Sequence, residues 1–511
     1  MSKRERYAWG ALLLFALVLR LWALGDRPPH HDEAIHCDFT YQLLHNGTYR
    51  YDPAYHGPLL YYTTAALFAV LGESTAVARL YSVLGGIALV ALPLALRRRL
   101  GPGAAWWTGV LLAISPNLLY YSRFARSDVE VCLLTGAALV LFLAVRRHGW
   151  RPIPWIGAMA ALHVAMIETF YVIVPLLAVA AWVVALRKGV WESVRRGFAW
   201  IDRYRIAVGT AILWFIVISV VMYTFFFEHP EDAFYPFKAI GYWYQQHKIE
   251  RVGGPWYYHL PRLALYEFLP LAAAGVWAWR RRRRLKDLEV FCLAWGVAAI
   301  ALFCYLGEKT PWLVVHQFFP FMPLAGAQLA RTFGPGGRRW AQGLAGVGLV
   351  ATLWSSVASS YLFPAITTSN PHAELMVYVQ TTPEEQEVAN YGLALARIPR
   401  EGPVATVDGE GAWPLSWQWK KIPVFWAQPE PNMRPALVVC DPDKEAAMRE
   451  RLGPGYTVRR IPLRAWWVED VAGVKVSDVV RWFFTRVAWS PIGATDVLVF
   501  EAGAGRAGGG T

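Results

Sequence analysis

"PLLYYTTAALFAVLG", Pro58 to Gly72, is the stretch on which the architecture of this chain turns. It is apolar enough to enter a bilayer, yet shorter than the roughly 20 residues an α-helix needs to cross the hydrocarbon core. If it crosses, every later loop changes side. Loops on the cytosolic side of a membrane protein carry an excess of Lys and Arg, so their distribution decides the matter. With Pro58 to Gly72 lying along the interface, one set of loops holds "MSKRER", "RRR" (97–99), "RRHGWR", residues 187–205, "RRRRRLK" and "RTFGPGGRR". Those loops carry 24 of the 50 Lys and Arg residues, against eight in the loops opposite. A crossing would put the basic loops after it on the wrong face. The expectation is therefore a surface or re-entrant helix, an amino terminus in the cytosol and a plasma-membrane protein of many passes.

The surrounding sequence agrees with a bilayer. The chain has 511 residues, 56% of them hydrophobic and 17% charged, which is too apolar for an ordinary soluble protein. Its 26 Trp and 24 Tyr suit the headgroup zone. The formal charge of +13 sits in short loops between apolar runs, which argues against a nucleic-acid surface. About eleven transmembrane helices are expected by length and composition, over residues 8–25, 76–96, 104–121, 128–145, 153–168, 170–186, 206–227, 261–279, 287–306, 312–331 and 341–363. The first follows "MSKRER" without a small-residue cleavage site, so it is read as a retained helix. The five cysteines are scattered, without a CxxC pair, and imply neither a disulfide framework nor a zinc site.

Beyond Pro364 the pattern changes. Residues 371–502 alternate short β-like runs ("PVATVD", "IPVFW", "ALVVC", "TVRRIPL", "DVLVFE") with helical ones ("TPEEQEVANYGLALARI", "DKEAAMRERLG", "SDVVRWFFTRV"). That alternation predicts an α/β domain. The expected organisation is a mainly α transmembrane domain over 1–364, with an outward first loop and surface helix at 26–75. An extracytosolic α/β domain over 371–502 and a disordered tail over 503–511 complete it. Trp413, Trp417 and Trp419 of "WPLSWQW" are expected in the core of that domain rather than on a sugar.

Four groups of polar residues fall at the outward ends of the spans. The first is "HHDEAIH", His30 to His36, followed by His56. His31 and His36 are five residues apart, roughly 140° around a helix, which does not fit the one-face pairing of a zinc protease. A paired Asp32 and Glu33 can instead divide labour, one taking a proton while the other orients it or binds a cation. A solvated polar loop is the plain alternative. The second group is "YYSRFARSDVE", in which Arg123 and Arg126 break the charge bias of the outward face. Arg binds phosphate in bidentate fashion, although snorkelling to lipid headgroups, or pairing with Asp128 and Glu130, would also account for the pair. Third is "GEKTPWLVVH", with Lys309, Glu308 and His316, or else a turn with structural duties alone. The fourth, "HVAMIETFY", sets Glu168 and His163 near the membrane, where ionisable groups are costly.

The basic loops are too short to house a nucleotide-binding domain, and no P-loop or GxGxxG follows a strand. A donor for outward chemistry must then arrive through the bilayer, which a lipid-linked phosphate does. The ordered set of an early Asp-Glu loop, "GPLLYY", "YSRFARSD" and "EKTPWLVVH" resembles the GT-C membrane glycosyltransferases, among them the protein O-mannosyltransferases and the lipid A aminoarabinose transferases, over about residues 10–330. With "YVQTTPEEQEVANY" and "WPLSWQW" included, nearly the whole chain is similar to the prokaryotic flippase-activity-associated proteins. The resemblance implies inverting transfer of a sugar from a polyprenyl-phosphate donor to an unidentified acceptor. It places the catalytic carboxylate at Asp32, with Glu33 beside it, and the donor phosphate on Arg123, Arg126 and Lys309. His36, His56, Asp128, Glu168 and His316 are expected to bind sugar or acceptor. A divalent metal is left open, with Asp32, Glu33 and His36 as its candidate ligands. The competing expectations are a flippase for lipid-linked sugars, which predicts internal repeats and polar groups at the bilayer midplane, and a non-catalytic member of a glycan-assembly complex.

Overall fold

A computed structural model describes residues 1–249, 254–364, 366, 368, 370–468 and 470–503. The expected tail lies outside the described residues, apart from its first residue. The chain divides into two compact units: residues 1–24, 43–72 and 77–360 form one, and residues 25–42, 73–76 and 361–511 the other.

The first unit is helical. Among the described residues, seven helical segments are long and apolar enough to cross a membrane: Thr75–Leu100, Asp128–His148, Phe170–Lys188, Arg205–Tyr223, Asp287–Tyr305, Pro311–Thr332 and Arg339–Leu362. Phe170–Lys188 and Arg205–Tyr223 leave most of their apolar side chains uncovered by protein, with Ile212 and Leu213 more than half exposed. Such faces need lipid around them, and the protein is a multi-pass membrane protein. Basic residues close several helices, as at Arg97–Arg99 and Arg146–His148, where cations meet the negative end of the helix dipole.

Four of the expected spans take other forms. Residues 8–25 fall largely within Lys3–Leu21, a helix whose first turn is charged. Residues 153–168 contain only the short helix Ile153–Val164. Residues 104–121 break into Pro102–Ile114 and Pro116–Tyr121, because Pro116 offers no N–H and holds Ser115 in an extended conformation (φ −60°, ψ 126°). Residues 261–279 break at Glu267, between His259–Tyr266 and Phe268–Arg281. The two breaks answer one another: Glu267 accepts hydrogen bonds from Ser115 Oγ (2.6 Å) and from the backbone and side-chain nitrogens of Asn117 (3.3 and 2.9 Å). A buried carboxylate thereby satisfies one open N–H of the helix that starts at Pro116, and Ser115 Oγ accepts the next, from Leu118 (3.2 Å). Residues 58–71 form a helix of 14 residues, about 21 Å long at 1.5 Å per residue, short of the roughly 30 Å core. Its entry is fixed where Gly57 and Leu59 donate to the carbonyls of Met166 and Ala165 (3.1 and 2.9 Å). A side chain at Gly57 would collide with the Ala165 carbonyl.

The second unit is built on a six-stranded sheet. Its strands are β1 (Gln380–Thr381), β2 (Ala405–Asp408), β3 (Val424–Phe425), β4 (Leu437–Cys440), β5 (Tyr456–Trp467) and β6 (Ile492–Ala502), in the order β1-β5-β6-β4-β2-β3. β2 runs parallel to β3 and β4, and the other pairings are antiparallel. Alternate residues of the central strands serve opposite faces: Leu437 and Val439 pack with Trp419 and Val388, while Val438 and Cys440 pack with Met448 and Leu452. With both faces covered, β4 reads as an unbroken apolar run. Trp419 and Trp417 are core residues, as expected, and their indole N–H groups donate to Ala389 O and Thr75 Oγ (both 2.9 Å). Helices Pro383–Leu395, Glu445–Leu452 and Val476–Thr485 occupy the three predicted helical segments.

Candidate active site

Asp32 and Glu33 belong to the second unit, in the first turn of the helix His31–Asn46. Glu33 is fully buried. One of its oxygens accepts from the backbone N–H of His30 (2.9 Å), and the other pairs with Arg27 (3.5 Å). His30 completes the cap: its Nδ1 accepts the backbone N–H of Asp32 (3.0 Å), the part a Ser or Thr hydroxyl plays in a capping box. Its Nε2 therefore carries the proton and donates to the carbonyl of Tyr378 (2.6 Å). Sequence neighbours that look alike thus divide by environment. Glu33 holds the helix start in place, whereas Asp32 keeps a side chain that is 25% exposed. His36 is buried one turn along the same helix.

His31 is held from the sheet. Its Nδ1 accepts from Arg464 of β5 (3.0 Å), and Arg464 also pairs with Glu410. Burial, followed by the Arg464 charge, lowers the His31 pKa to about 4. The folded state thus resists protonating His31, whereas the unfolded chain protonates it near pH 6.5, so stability is lost as pH falls from about 6.5 towards 4 and levels off below that. By linkage the loss reaches about 2 kcal/mol at pH 5. Thermal midpoints of the wild type and His31→Gln, measured from pH 7 to pH 5, should converge by that amount. Parallel curves would remove the effect.

The other expected residues lie in the first unit. Arg126, in the turn before Asp128–His148, is buried. Its Nε donates to Asp128 (3.3 Å), an Nη donates to His56 Nε2 (3.4 Å), and its guanidinium lies 3.9 Å from the centre of the Trp312 ring. Because Nε2 accepts, His56 Nδ1 carries the proton and donates to Glu168 (3.1 Å). The second Glu168 oxygen accepts the Tyr51 hydroxyl (2.7 Å), and burial, then the Glu168 charge, pushes the Tyr51 phenol well above its ordinary value. His316 meets the other Asp128 oxygen (3.2 Å). Five expected residues, His56, Arg126, Asp128, Glu168 and His316, thus form one connected chain. Arg126, His56 and Glu168 line a cavity of about 190 Å³ whose other walls include Ile167, Val172 and Ile240. Trp243 lies along it, stacked with His56 at 6.1 Å.

Two expected phosphate ligands sit differently. Arg123 donates to the carbonyls of Leu19, Arg20, Trp22 and Ala23 at the end of Lys3–Leu21. Lys309 donates to the carbonyls of Phe303 and Cys304 near the end of Asp287–Tyr305 (3.1 and 2.8 Å). Both satisfy orphan carbonyls at helix ends. His163 packs edge-on against Phe170. The sequence did not point to Arg27, Tyr51, Trp243 or Arg464. Trp312 lay within a quoted motif without a role, and Arg464 follows its partner His31 by 433 residues.

No family model matches the chain, and no curated protein matches it. Among solved structures, ArnT from Cupriavidus metallidurans bound to undecaprenyl phosphate superposes with a TM-score of 0.61 at 18% identity, covering 98% of this chain and 99% of that one. The fold is GT-C. The apo form of the same ArnT gives 0.57 at 16% identity over the same shares. The oligosaccharyltransferase of Archaeoglobus fulgidus, in complex with Zn and sulfate, gives 0.52 at 14% identity, covering 86% of this chain and 69% of that one. The fold expected from the ordered sequence segments, that of the aminoarabinose transferases, is the one these structures share. The closer likeness, to flippase-activity-associated proteins, rests on the quoted segments alone.

The candidate metal ligands sit at the start of the helix His31–Asn46. Of the candidates Asp32, Glu33 and His36, Glu33 has one oxygen on a guanidinium and the other on a backbone N–H. Among the described residues no group of three or more His, Cys, Asp or Glu side chains is placed to hold a metal ion.

Proposed function

We propose that this GT-C protein is an inverting glycosyltransferase that moves a sugar from a polyprenyl-phosphate donor to an acceptor at the outer face of the plasma membrane, its amino terminus being cytosolic. One observation carries the reading: a guanidinium, Arg126, buried at the wall of a largely apolar cavity and aligned by Asp128 and His56. A cation in an apolar, side-chain-lined place suits a phosphate that stays attached to its lipid.

In the reaction the acceptor hydroxyl oxygen bonds to the anomeric carbon while its proton passes to Asp32. The bond from that carbon to the phosphate oxygen breaks, its electron pair leaving with the polyprenyl phosphate. Arg126 stabilises the charge that develops there. Glu33, Arg123 and Lys309 serve as positioning residues, the first for Asp32 and the others for the helix ends beside the donor. His56 and Glu168 orient Arg126, and Asp128 and His316 support it from the other side. The ArnT structure holding undecaprenyl phosphate supports the donor class.

The test uses the purified full-length protein in proteoliposomes with polyprenyl-phosphate-linked sugars and candidate acceptors. The expected result is free polyprenyl phosphate together with a product of inverted anomeric configuration. Movement of intact donor across the bilayer, with neither product formed over a panel of sugars, would replace this reading with the flippase one.

A further inference from the structure

A second crevice, of about 1100 Å³, opens in the helical unit far from Arg126. Asp128 and Arg146 stand at opposite ends of one helix, about 27 Å apart along its axis. Five cations line the crevice, Arg99, Arg146, Arg281, Lys286 and Arg331, with two carboxylates, Asp287 and Glu289. All seven sit at helix ends on the side of the Arg-rich loops. The carboxylates are engaged: Asp287 pairs with Lys188, and Glu289 accepts from Trp277 Nε1 (3.0 Å) and from the backbone of Lys286 (2.7 Å). The cations are less so. Arg146 and Arg331 are exposed and form no hydrogen bond or ion pair among the described residues. Arg281 leans on the Trp277 ring, with its Nε buried and lacking a hydrogen-bond partner. Behind this basic mouth the walls are apolar, formed by Phe142, Leu177, Val184, Phe291 and Leu324.

We infer that this crevice binds an anionic glycerophospholipid, its phosphate among Arg146, Arg281 and Arg331 and its acyl chains against the apolar walls. Charge complementarity selects the ligand. A free phosphate ion would leave the apolar walls uncovered, and a zwitterionic headgroup would bring its own ammonium among five cations. The occupant would tie together helices that enter the crevice from several separate stretches of sequence, so binding stabilises the folded protein by an amount that grows with the logarithm of lipid concentration above the Kd. This inference is independent of the reading of the Arg126 site.

The full-length protein, delipidated in a neutral detergent, would be titrated with phosphatidylglycerol or phosphatidylcholine, following bound lipid by native mass spectrometry and the thermal midpoint in parallel. Phosphatidylglycerol should bind more tightly and raise the midpoint. At about fivefold per cation near a membrane surface, the double variant Arg146→Gln/Arg331→Gln should lose roughly 25-fold in affinity for phosphatidylglycerol and none for phosphatidylcholine. The Lys versions of both substitutions should retain binding, which keeps the test valid if the Gln variant is poorly folded. Equal affinity for the two lipids, or unchanged binding in the double Gln variant, would overturn the proposal. Displacement of phosphatidylglycerol from the crevice by lower concentrations of polyprenyl phosphate would also do so, by assigning the crevice to a different lipid.

Discussion

Asp32→Asn is expected to lower sugar transfer by about 10²–10⁴-fold while leaving the folded protein and its affinity for the donor unchanged. The amide matches the carboxylate in size and cannot take the acceptor's proton. The fold is spared because the cap of the helix His31–Asn46 uses the backbone N–H of Asp32, not its side chain, with Glu33 and His30 supplying the cap's side-chain groups. The contrast with Glu33→Gln sharpens the assignment. That change leaves Arg27 facing a neutral group in a buried place, so its expected effect is on thermal stability. The measurement is a transfer assay on each purified variant beside its thermal midpoint. Normal turnover in Asp32→Asn would remove Asp32 from the chemistry. A loss of turnover accompanied by unfolding would instead assign it to the scaffold.

Arg126→Gln should cost about 10²–10³ in turnover, the scale seen when one preorganised group is taken from a developing negative charge. Structure should suffer as well. Asp128 is almost fully buried, and with Arg126 gone it keeps His316 but loses its guanidinium partner, a change that destabilises buried pairs by about 3–5 kcal/mol. Arg126→Lys separates the two effects. It restores the charge beside Asp128 while losing the fork that reaches Asp128 and His56 together. The lysine variant should therefore fold nearly as well as the wild type yet bind the donor more weakly, seen as a raised KM for polyprenyl-phosphate sugar. If turnover and KM in Arg126→Lys both stay at wild-type values, the guanidinium has no special part in holding phosphate.

What was legible in the sequence follows from the range of each interaction. Apolar runs bounded by Arg clusters located the long helices because bilayer thickness acts on composition alone. The breaks at Ser115 and Glu267 escaped, since an apolar run looks continuous across them and the carboxylate closing one break lies on the segment containing the other. The strands of the second unit were legible because β4 and β6 carry uninterrupted or alternating apolar residues. At the site, the cluster His30 to His36 marked a place without revealing how its members divide. The difference between Asp32 and Glu33 depends on Arg27 and His30. Arg123 and Lys309 stood out as cations against the charge bias, but their use depends on which helix end they meet, and that is a three-dimensional fact.

The segment holding Asp32 is tied to the sheet by His30 on Tyr378, His31 on Arg464, and Gln380 on Pro28 (3.1 Å). Chimeras that graft this sheet-bearing unit onto another membrane body would accordingly have to carry residues 25–42 with it as matched cargo. A splice made only at Pro364 would leave that acidic segment behind on the original membrane body.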